Sequence, residues 1–286
     1  MKLQPIPTPH EDLILSIAYD HYGHLLATGS ADQHITLYTQ NGPSCTFKAH
    51  DSAVVSVGFA HPEFGRLLLS ASYDRTCKLW TPVGDSWVKQ TVLSDSHGPL
   101  YVAKFLPKHL GLKLCTLGSD GILRIYEGRD WLLIEEIPVL ENVGEKHLQS
   151  DFDIDWCGRE EKAVVSALDQ AFIYSRDNNS EVPNEPSKLV KIGTLDGHGG
   201  LIRSVAWAPS MGREWELIAT ACKDGWVRIF RDGELVGKFS GEGEVWKVEW
   251  NKTGTVLSSS GDDGLIRLYK ADYAGKWSCM SVISAE

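Results

Sequence analysis

Histidine, aspartate and hydroxyl side chains recur at fixed spacing along this chain of 286 residues. Five turn aspartates each stand four residues after a serine or threonine and six residues before an aromatic residue. Histidines precede three of these sets, and His10 is a candidate for a fourth. The members are Thr28 and Asp32; His50, Ser70 and Asp74; His97, Thr116 and Asp120; His198, Thr220 and Asp224; and Ser259 and Asp263. A single set of this kind has the composition of a hydrolase triad.

The recurrence favours a structural interpretation over a catalytic one. An enzyme needs one such constellation, whereas a repeated fold needs the same hydrogen bonds in every repeat. A buried aspartate is tolerated when its oxygens accept hydrogen bonds, which turn amides, a histidine and a hydroxyl group can provide. We therefore predict a structural turn network. We expect no enzymatic activity, no catalytic or cofactor-binding residues and no metal site.

The same sets lie in six passages in which a strand-like run ends at a turn and restarts as a strand closing on an aromatic residue. A repeat of about 40–50 residues indicates four-stranded blades of a β-propeller. The prediction is an all-β WD40 propeller of six blades in one domain spanning 1–286. The expected blades are 10–48, 50–92, 97–137, 148–195, 198–239 and 242–284. The fourth repeat is irregular, because Asp169 precedes Tyr174 by five residues and Val165 replaces the hydroxyl residue.

Composition excludes several classes of function. The formal net charge of −10 argues against direct binding of nucleic acid, which needs a basic surface. The 6 cysteines are scattered without a CxxC pair, so free thiols are expected. No apolar run approaches the ~20 residues of a membrane span, and no signal peptide is expected. The sequence therefore predicts a nuclear or cytosolic protein that contacts membranes only through partners.

Strand counting raises the question of how the propeller closes. The last repeat has its own fourth strand, and only a dozen residues, with prolines at positions 5, 7 and 9, precede the first inner strand. Two outcomes remain: a six-bladed ring closed by packing, or an open ring with a gap between blades 1 and 6. An open ring would expose apolar sheet faces, which mark a partner site. The predicted partner interface consists of Leu13, Leu15, Ile17, Tyr19, Val245, Trp246, Val248 and Trp250.

Three stretches carry a resemblance to a known family. They are AHPEFG at 60–65, PKHLGLKLCTLGSDGILRIYE at 107–127 and WNKTGTVLSSSGDDGLIRLYKADYAGKWSC at 250–279. In these stretches the chain resembles the WD-repeat nucleoporins of the Seh type, close relatives of the Sec-type coat propellers. The likeness covers repeats one to three, five and six well, and repeat four only by position.

The resemblance implies an open six-bladed propeller without catalysis or cofactor. In this family an α-solenoid nucleoporin inserts a blade in trans, within the Y-shaped outer-ring complex of the nuclear pore. The implied role is scaffolding for mRNA export and protein import at the nuclear envelope. Family members also serve in a vacuole- or lysosome-associated complex that regulates TOR signalling. Two alternatives remain open: a Sec-type propeller of the COPII coat, and a closed WD40 adaptor that binds peptides.

Overall fold

The computed structural model describes residues 6–40, 42–84, 86–140, 151–177, 188–241 and 243–284. The described residues form an all-β structure of six antiparallel four-stranded sheets, which we call blades 1 to 6. Two short 3₁₀ turns, Pro62–Phe64 and Lys108–Leu110, are the helical segments of these ranges. The irregular loops expected at 138–150 and 176–188 lie mostly outside the described residues.

The chain divides into two compact units, Met1–Glu145 and Lys146–Glu286, and each contains three blades. The single domain expected from the sequence stays a prediction, and the two units are described separately below.

Unit 1 contains blades 1, 2 and 3, whose strands follow one another in chain order within each sheet. Blade 1 consists of β1 (Ile14–Tyr19), β2 (Leu26–Ser30), β3 (His34–Thr39) and β4 (Gly42–Lys48). Blade 2 consists of β5 (Val54–Phe59), β6 (Leu68–Ser72), β7 (Cys77–Val83) and β8 (Ser86–Leu93). Blade 3 consists of β9 (Leu100–Phe105), β10 (Lys113–Gly118), β11 (Ile122–Glu127) and β12 (Leu132–Pro138).

Unit 2 contains blades 4, 5 and 6 with the same order of strands. Blade 4 consists of β13 (Phe152–Trp156), β14 (Lys162–Ala167), β15 (Gln170–Arg176) and β16 (Leu189–Leu195). Blade 5 consists of β17 (Ile202–Trp207), β18 (Leu217–Cys222), β19 (Trp226–Arg231) and β20 (Glu234–Ser240). Blade 6 consists of β21 (Val245–Trp250), β22 (Val256–Gly261), β23 (Leu265–Ala271) and β24 (Trp277–Ser284).

The core of each unit lies between neighbouring blades, because side chains alternate between the two faces of a strand. In unit 1, Ala27, Ile35 and Leu37 of blade 1 pack against Val54 and Val57 of blade 2. The opposite face of blade 2 packs against blade 3 in a second cluster. In unit 2, blade 5 is covered in the same way, by blade 4 on one face and by blade 6 on the other. The middle blade of each unit is therefore packed on both faces.

All six cysteines are free thiols, and most of them are buried. The described residues contain no helix long and apolar enough to cross a membrane.

Candidate functional site

The turn network is most complete in blade 2. His50 contacts Asp74 through Nδ1 at 2.8 Å and Ser70 through Nε2 at 2.8 Å. The indole Nε1 of Trp80 donates to the Ser70 hydroxyl oxygen at 2.9 Å. The backbone amide of Thr76 donates to the other carboxylate oxygen of Asp74 at 2.9 Å. The network thus ties the turn of the β6–β7 hairpin to the segment that enters the blade and to the closing tryptophan.

Burial and hydrogen bonding fix the protonation states in blade 2. Burial lowers the pKa of His50 below its ordinary value, against the opposing effect of Asp74. Burial alone would raise the pKa of Asp74, but hydrogen bonds from His50 and Thr76 hold that pKa well below its ordinary value. The carboxylate is therefore ionised, and both of its oxygens accept hydrogen bonds within the network.

Blade 1 repeats this geometry with His10. Its Nδ1 lies 2.8 Å from Asp32 and its Nε2 lies 2.8 Å from the hydroxyl oxygen of Thr28. The closing aromatic of this repeat, Tyr38, donates its hydroxyl to Thr8 at 3.1 Å instead of to Thr28. The structure thus places the candidate fourth histidine in the network.

Blade 3 corrects one prediction, because the side chain of His97 is exposed rather than placed in the network. Its backbone amide donates to Asp120 at 3.2 Å, just as the amide of Asp51 does to Asp74 in blade 2. The residue before that amide is His50 in blade 2 and Ser96 in blade 3. His97 therefore lies one residue after the position that His50 occupies in blade 2. The buried Ser96 occupies that position in blade 3.

In blades 3, 5 and 6 an arginine donates to the turn aspartate, as histidine does in blades 1 and 2. The sequence-based prediction did not include these arginines. Arg124 donates to Asp120 at 2.7 Å and to Glu136 at 2.8 Å, and its side chain is almost completely buried. Equivalent ion pairs join Arg228 to Asp224 at 2.5 Å and Arg267 to Asp263 at 2.5 Å. Each arginine stands four residues after the aspartate and two before the closing aromatic residue. This spacing is the signal by which the sequence could have revealed them.

Blade 5 combines both kinds of partner. His198 contacts the hydroxyl oxygen of Thr220 through Nε2 at 2.9 Å, while Asp224 is bound by Arg228. Burial, followed by the nearby Arg228 guanidinium, lowers the pKa of His198 to about 4. His198 is therefore neutral at physiological pH.

Blades 6 and 4 are the least regular. In blade 6, the hydroxyl groups of Ser259 and Tyr269 lie 3.3 Å apart, and no histidine joins them among the described residues. In blade 4, Asp169 is exposed at the β14–β15 turn. The buried acid of this blade is Asp153, which accepts hydrogen bonds from the Ser204 hydroxyl at 2.9 Å and from the Val205 amide at 3.1 Å. The described residues of the chain hold no cluster of potential metal ligands.

The second candidate site is the face of β1 that points away from blade 2. We call it the β1 face, and define it by Ile14, Ile17 and Tyr19. Ile17 is 66% exposed and Tyr19 is 62% exposed, and Ile14 is also exposed. Leu13 and Leu15, at the start of the strand, are exposed as well. An uncovered cluster of five large apolar side chains on and beside one strand is unusual for a surface and makes this face a candidate interaction site.

The equivalent strand of blade 2 shows how such a face looks when it is covered. Val54 and Val57 occupy the register positions of Ile14 and Ile17, as their partners on the neighbouring strand show. Val57 is 7% exposed and Val54 is completely buried, because both pack against blade 1. The Val57 amide also donates to the Ser16 hydroxyl on the opposite side of β1 at 3.1 Å. The β1 face therefore has the chemistry of an inter-blade surface.

The residues predicted on β21 do not present a matching surface, and this prediction is corrected for three of them. Val245, Val248 and Trp250 are buried in the cluster that blade 6 forms with blade 5. The Trp250 indole Nε1 also donates to the Ala206 carbonyl of blade 5 at 3.1 Å. These side chains point towards blade 5 and are unavailable to a partner.

Trp246 is the exposed member of the β21 prediction. The Arg203 guanidinium lies 4.2 Å from its ring, and its Nε1 donates to Asp262. Its polar edge is therefore engaged within unit 2, while about half of its surface stays open to solvent.

Comparison with known proteins agrees with the repeat pattern. The WD40 family, described as WD domain, G-beta repeat, matches residues 2–39, 41–81, 189–231 and 233–270. The chain is 41% identical to nucleoporin SEH1 of Saccharomyces cerevisiae, with 99% of this chain and 100% of that protein covered. It is 34% identical to nucleoporin seh1 of Schizosaccharomyces pombe, with 98% and 96% covered. It is 35% identical to nucleoporin SEH1 of Xenopus tropicalis, with 98% and 88% covered.

Proposed function

The chain belongs to the SEH1 family of WD40-repeat nucleoporins, and on that premise we propose that it is a non-enzymatic scaffold subunit of the nuclear pore complex. In this proposal the chain is part of the Y-shaped outer-ring complex and supports mRNA export and protein import. Its direct partner is an α-solenoid nucleoporin that donates a blade in trans. The relatives' name supports the pore, and the sequence resemblance supports the partner.

The exposed β1 face is the observation that carries this proposal. Blades stack through apolar faces, and full burial of an isoleucine or tyrosine of this kind contributes about 1.5–3 kcal/mol. The β1 face offers several such side chains with no cover. A sheet donated by the partner would cover them as blade 1 covers Val54 and Val57 in blade 2. In the proposal, sheet packing supplies the affinity and no chemical step takes place.

The turn network supports the non-enzymatic part of the proposal. In blades 1 and 2 a histidine joins the turn aspartate to a hydroxyl group, and in blade 5 His198 contacts the hydroxyl group of Thr220. The recurrence of these contacts at turns of several blades is what a scaffold repeat requires.

Binding to the α-solenoid nucleoporin tests the proposal. Ile17→Asp places a charge on the exposed β1 face, where it leaves the isolated chain folded but would bury an unpaired carboxylate in the complex. We expect the affinity to fall about a hundredfold, which corresponds to about 2.8 kcal/mol. The matched control is Ile192→Asp, at an isoleucine on the outer strand of blade 4 that is 57% exposed. Unchanged affinity of Ile17→Asp, or equal loss in the control, would refute the partner site.

The identity of the co-purifying solenoid separates this proposal from the coat alternative. Co-purification of a nucleoporin solenoid would support the pore-scaffold proposal. Co-purification of a vesicle-coat solenoid would support the Sec-type alternative. The proposal includes the second role in a TOR-regulating complex at the vacuole or lysosome. A fluorescent fusion should mark the nuclear rim and, for this second role, the vacuolar or lysosomal membrane; its absence from that membrane would remove the TOR part.

A further inference from the structure

A cleft of about 300 Å³ opens in unit 1 on the side where the β1–β2 turn meets the β5–β6 loop. None of its lining residues belongs to the β1 face or to the turn network. Its floor consists of Phe59, Ala60, Leu67 and Trp87. Ala60 and Leu67 are buried, and the Phe59 and Trp87 rings lie 6.3 Å apart in an edge-to-face arrangement. The floor is therefore apolar and aromatic, and of a size that holds one or two side chains.

The rim of the cleft is aromatic and exposed. Tyr22 stands at the tip of the β1–β2 turn and is largely exposed. The centroid of its ring lies 5.2 Å from that of His21 and 6.1 Å from that of His24, and the ring centroids of His21 and His61 lie 4.7 Å apart. Tyrosine and tryptophan around an apolar floor are the side chains that dominate binding energy at protein interfaces.

The turn that carries this rim is held in place before any ligand arrives. The Asp20 carboxylate accepts the His24 amide at 2.6 Å and the Leu25 amide at 3.1 Å. Gly23, with φ of 72°, adopts the left-handed conformation that closes the turn. A rigid rim lowers the ordering cost of binding.

The cleft is lined by one carboxylate, Asp20, and one guanidinium, Arg66, in a chain whose net charge is −10. The exposed Arg66 lines the cleft and forms no ion pair with any residue that the structure describes. The nearby acids are already engaged: Asp20 by the two turn amides, and Glu63 by Lys108 at 3.0 Å. An incoming carboxylate would therefore meet an unpaired guanidinium.

We propose that this cleft binds a short acidic peptide segment of a partner protein. A bulky apolar side chain of the peptide sits on the floor that Phe59 and Trp87 form together, and packs against Tyr22. A flanking aspartate or glutamate pairs with Arg66, whose planar fork suits a carboxylate. The peptide segment is extended. The cleft binds it independently of the partner that covers the β1 face.

An array of peptides probed with the 286-residue chain tests this proposal. The probes are heptapeptides with a central Phe, Leu or Trp flanked by Asp and Glu, together with matched sets flanked by Lys and Arg or by Ser and Gly. We expect binding to the acidic set alone. For the strongest peptide, fluorescence anisotropy should show affinity about tenfold weaker in Arg66→Glu and about tenfold weaker in Tyr22→Ala.

Two substitutions at exposed positions elsewhere serve as controls. Arg129→Glu makes the same charge change outside the cleft, and Tyr273→Ala removes an exposed tyrosine from a turn that an aspartate, Asp272, caps in the same way. Neither should alter the affinity. The proposal is overturned if no acidic peptide binds at about 1 mM, if the basic or neutral set binds equally well, or if the controls weaken binding as much as the cleft variants do.

Discussion

The first strands of blades 1 and 2 carry similar side chains at the same register positions and differ in what covers them. Val57 of β5 is buried against blade 1, whereas Ile17 of β1 stands in solvent. The first strand of blade 6 provides a third case, since its apolar residues are buried against blade 5. An apolar inner strand therefore does not identify a partner site by itself. The proposed partner site rests instead on an uncovered face, which in unit 1 is the face of β1.

The largest expected effect contrasts the covered and uncovered faces directly. Val57→Asp buries an unpaired charge between blades 1 and 2, and should reduce the free energy of unfolding by an amount on the order of 4 kcal/mol. Ile17→Asp at the equivalent exposed position should change it by less than about 0.5 kcal/mol. Urea denaturation of the two variants measures both values. Similar losses would mean that the β1 face is covered within the free chain.

A substitution in β21 sharpens the comparison in unit 2. Val248 is 2% exposed and packs against blade 5, so Val248→Asp should destabilise the fold by on the order of 3 kcal/mol. Trp246→Ala, two residues earlier on the same strand, removes a half-exposed ring and should cost less than about 1 kcal/mol. Thermal unfolding of the two variants provides the measurement. A Val248→Asp variant of unchanged stability would contradict the burial of Val248 against blade 5. It would make β21 a candidate partner-binding strand again.

The histidines of blades 2 and 3 offer a matched pair for the turn network. His50→Ala leaves the Ser70 hydroxyl and the Asp74 carboxylate without their partner and should cost about 2 kcal/mol. His97→Ala should leave the stability unchanged, because that side chain is exposed and only its backbone amide joins the network. Chemical denaturation distinguishes the two. An equal cost at both positions would contradict the assignment of Ser96 to the network of blade 3.

The smallest expected effect is a dependence of stability on pH in blade 5. The pKa of His198 is lowered from 6.5 to about 4 in the folded chain, so the unfolded chain binds more protons between these values. Its contribution to stability is therefore complete above pH 6.5 and is lost as the pH falls towards 4. His198→Gln should remove part of this slope, by on the order of 1 kcal/mol over the window. An unchanged slope in the variant would show that folding does not lower the pKa of His198.

The repeat pattern predicted the blades well because its signals are local. Aspartate turns and closing aromatics lie within one hairpin, and strand alternation lies within one strand, so each can be read from neighbouring residues. His97 misled because the network position is defined by a backbone amide, and one inserted residue moves the side chain out of it. Ser96 has no distinctive sequence signal. The arginines at 124, 228 and 267 do have a sequence signal, namely their position four residues after the turn aspartate. The prediction considered only histidines as partners of that aspartate and therefore missed them.

The partner face was only partly predictable, for two physical reasons. A β-bulge between Val245 and Lys247 places Val245 and Val248 on the same face although they are three residues apart. Simple alternation therefore misassigns side chains on β21. The second reason is that a sequence shows which residues are apolar but not which neighbour covers them. Ile17 and Val248 look alike in the sequence, and only packing distinguishes them.

The most direct test of the central claim is the accessibility of the β1 face with and without the α-solenoid partner. Ile17→Cys and Ile192→Cys introduce thiols at two exposed positions, and mass spectrometry follows their alkylation separately from the native cysteines. Both should react rapidly in the free chain. In the complex, Ile17→Cys should react about a hundredfold more slowly, while Ile192→Cys should react at its original rate. Rapid alkylation of Ile17→Cys in a fully formed complex would contradict the claim that the partner covers the β1 face.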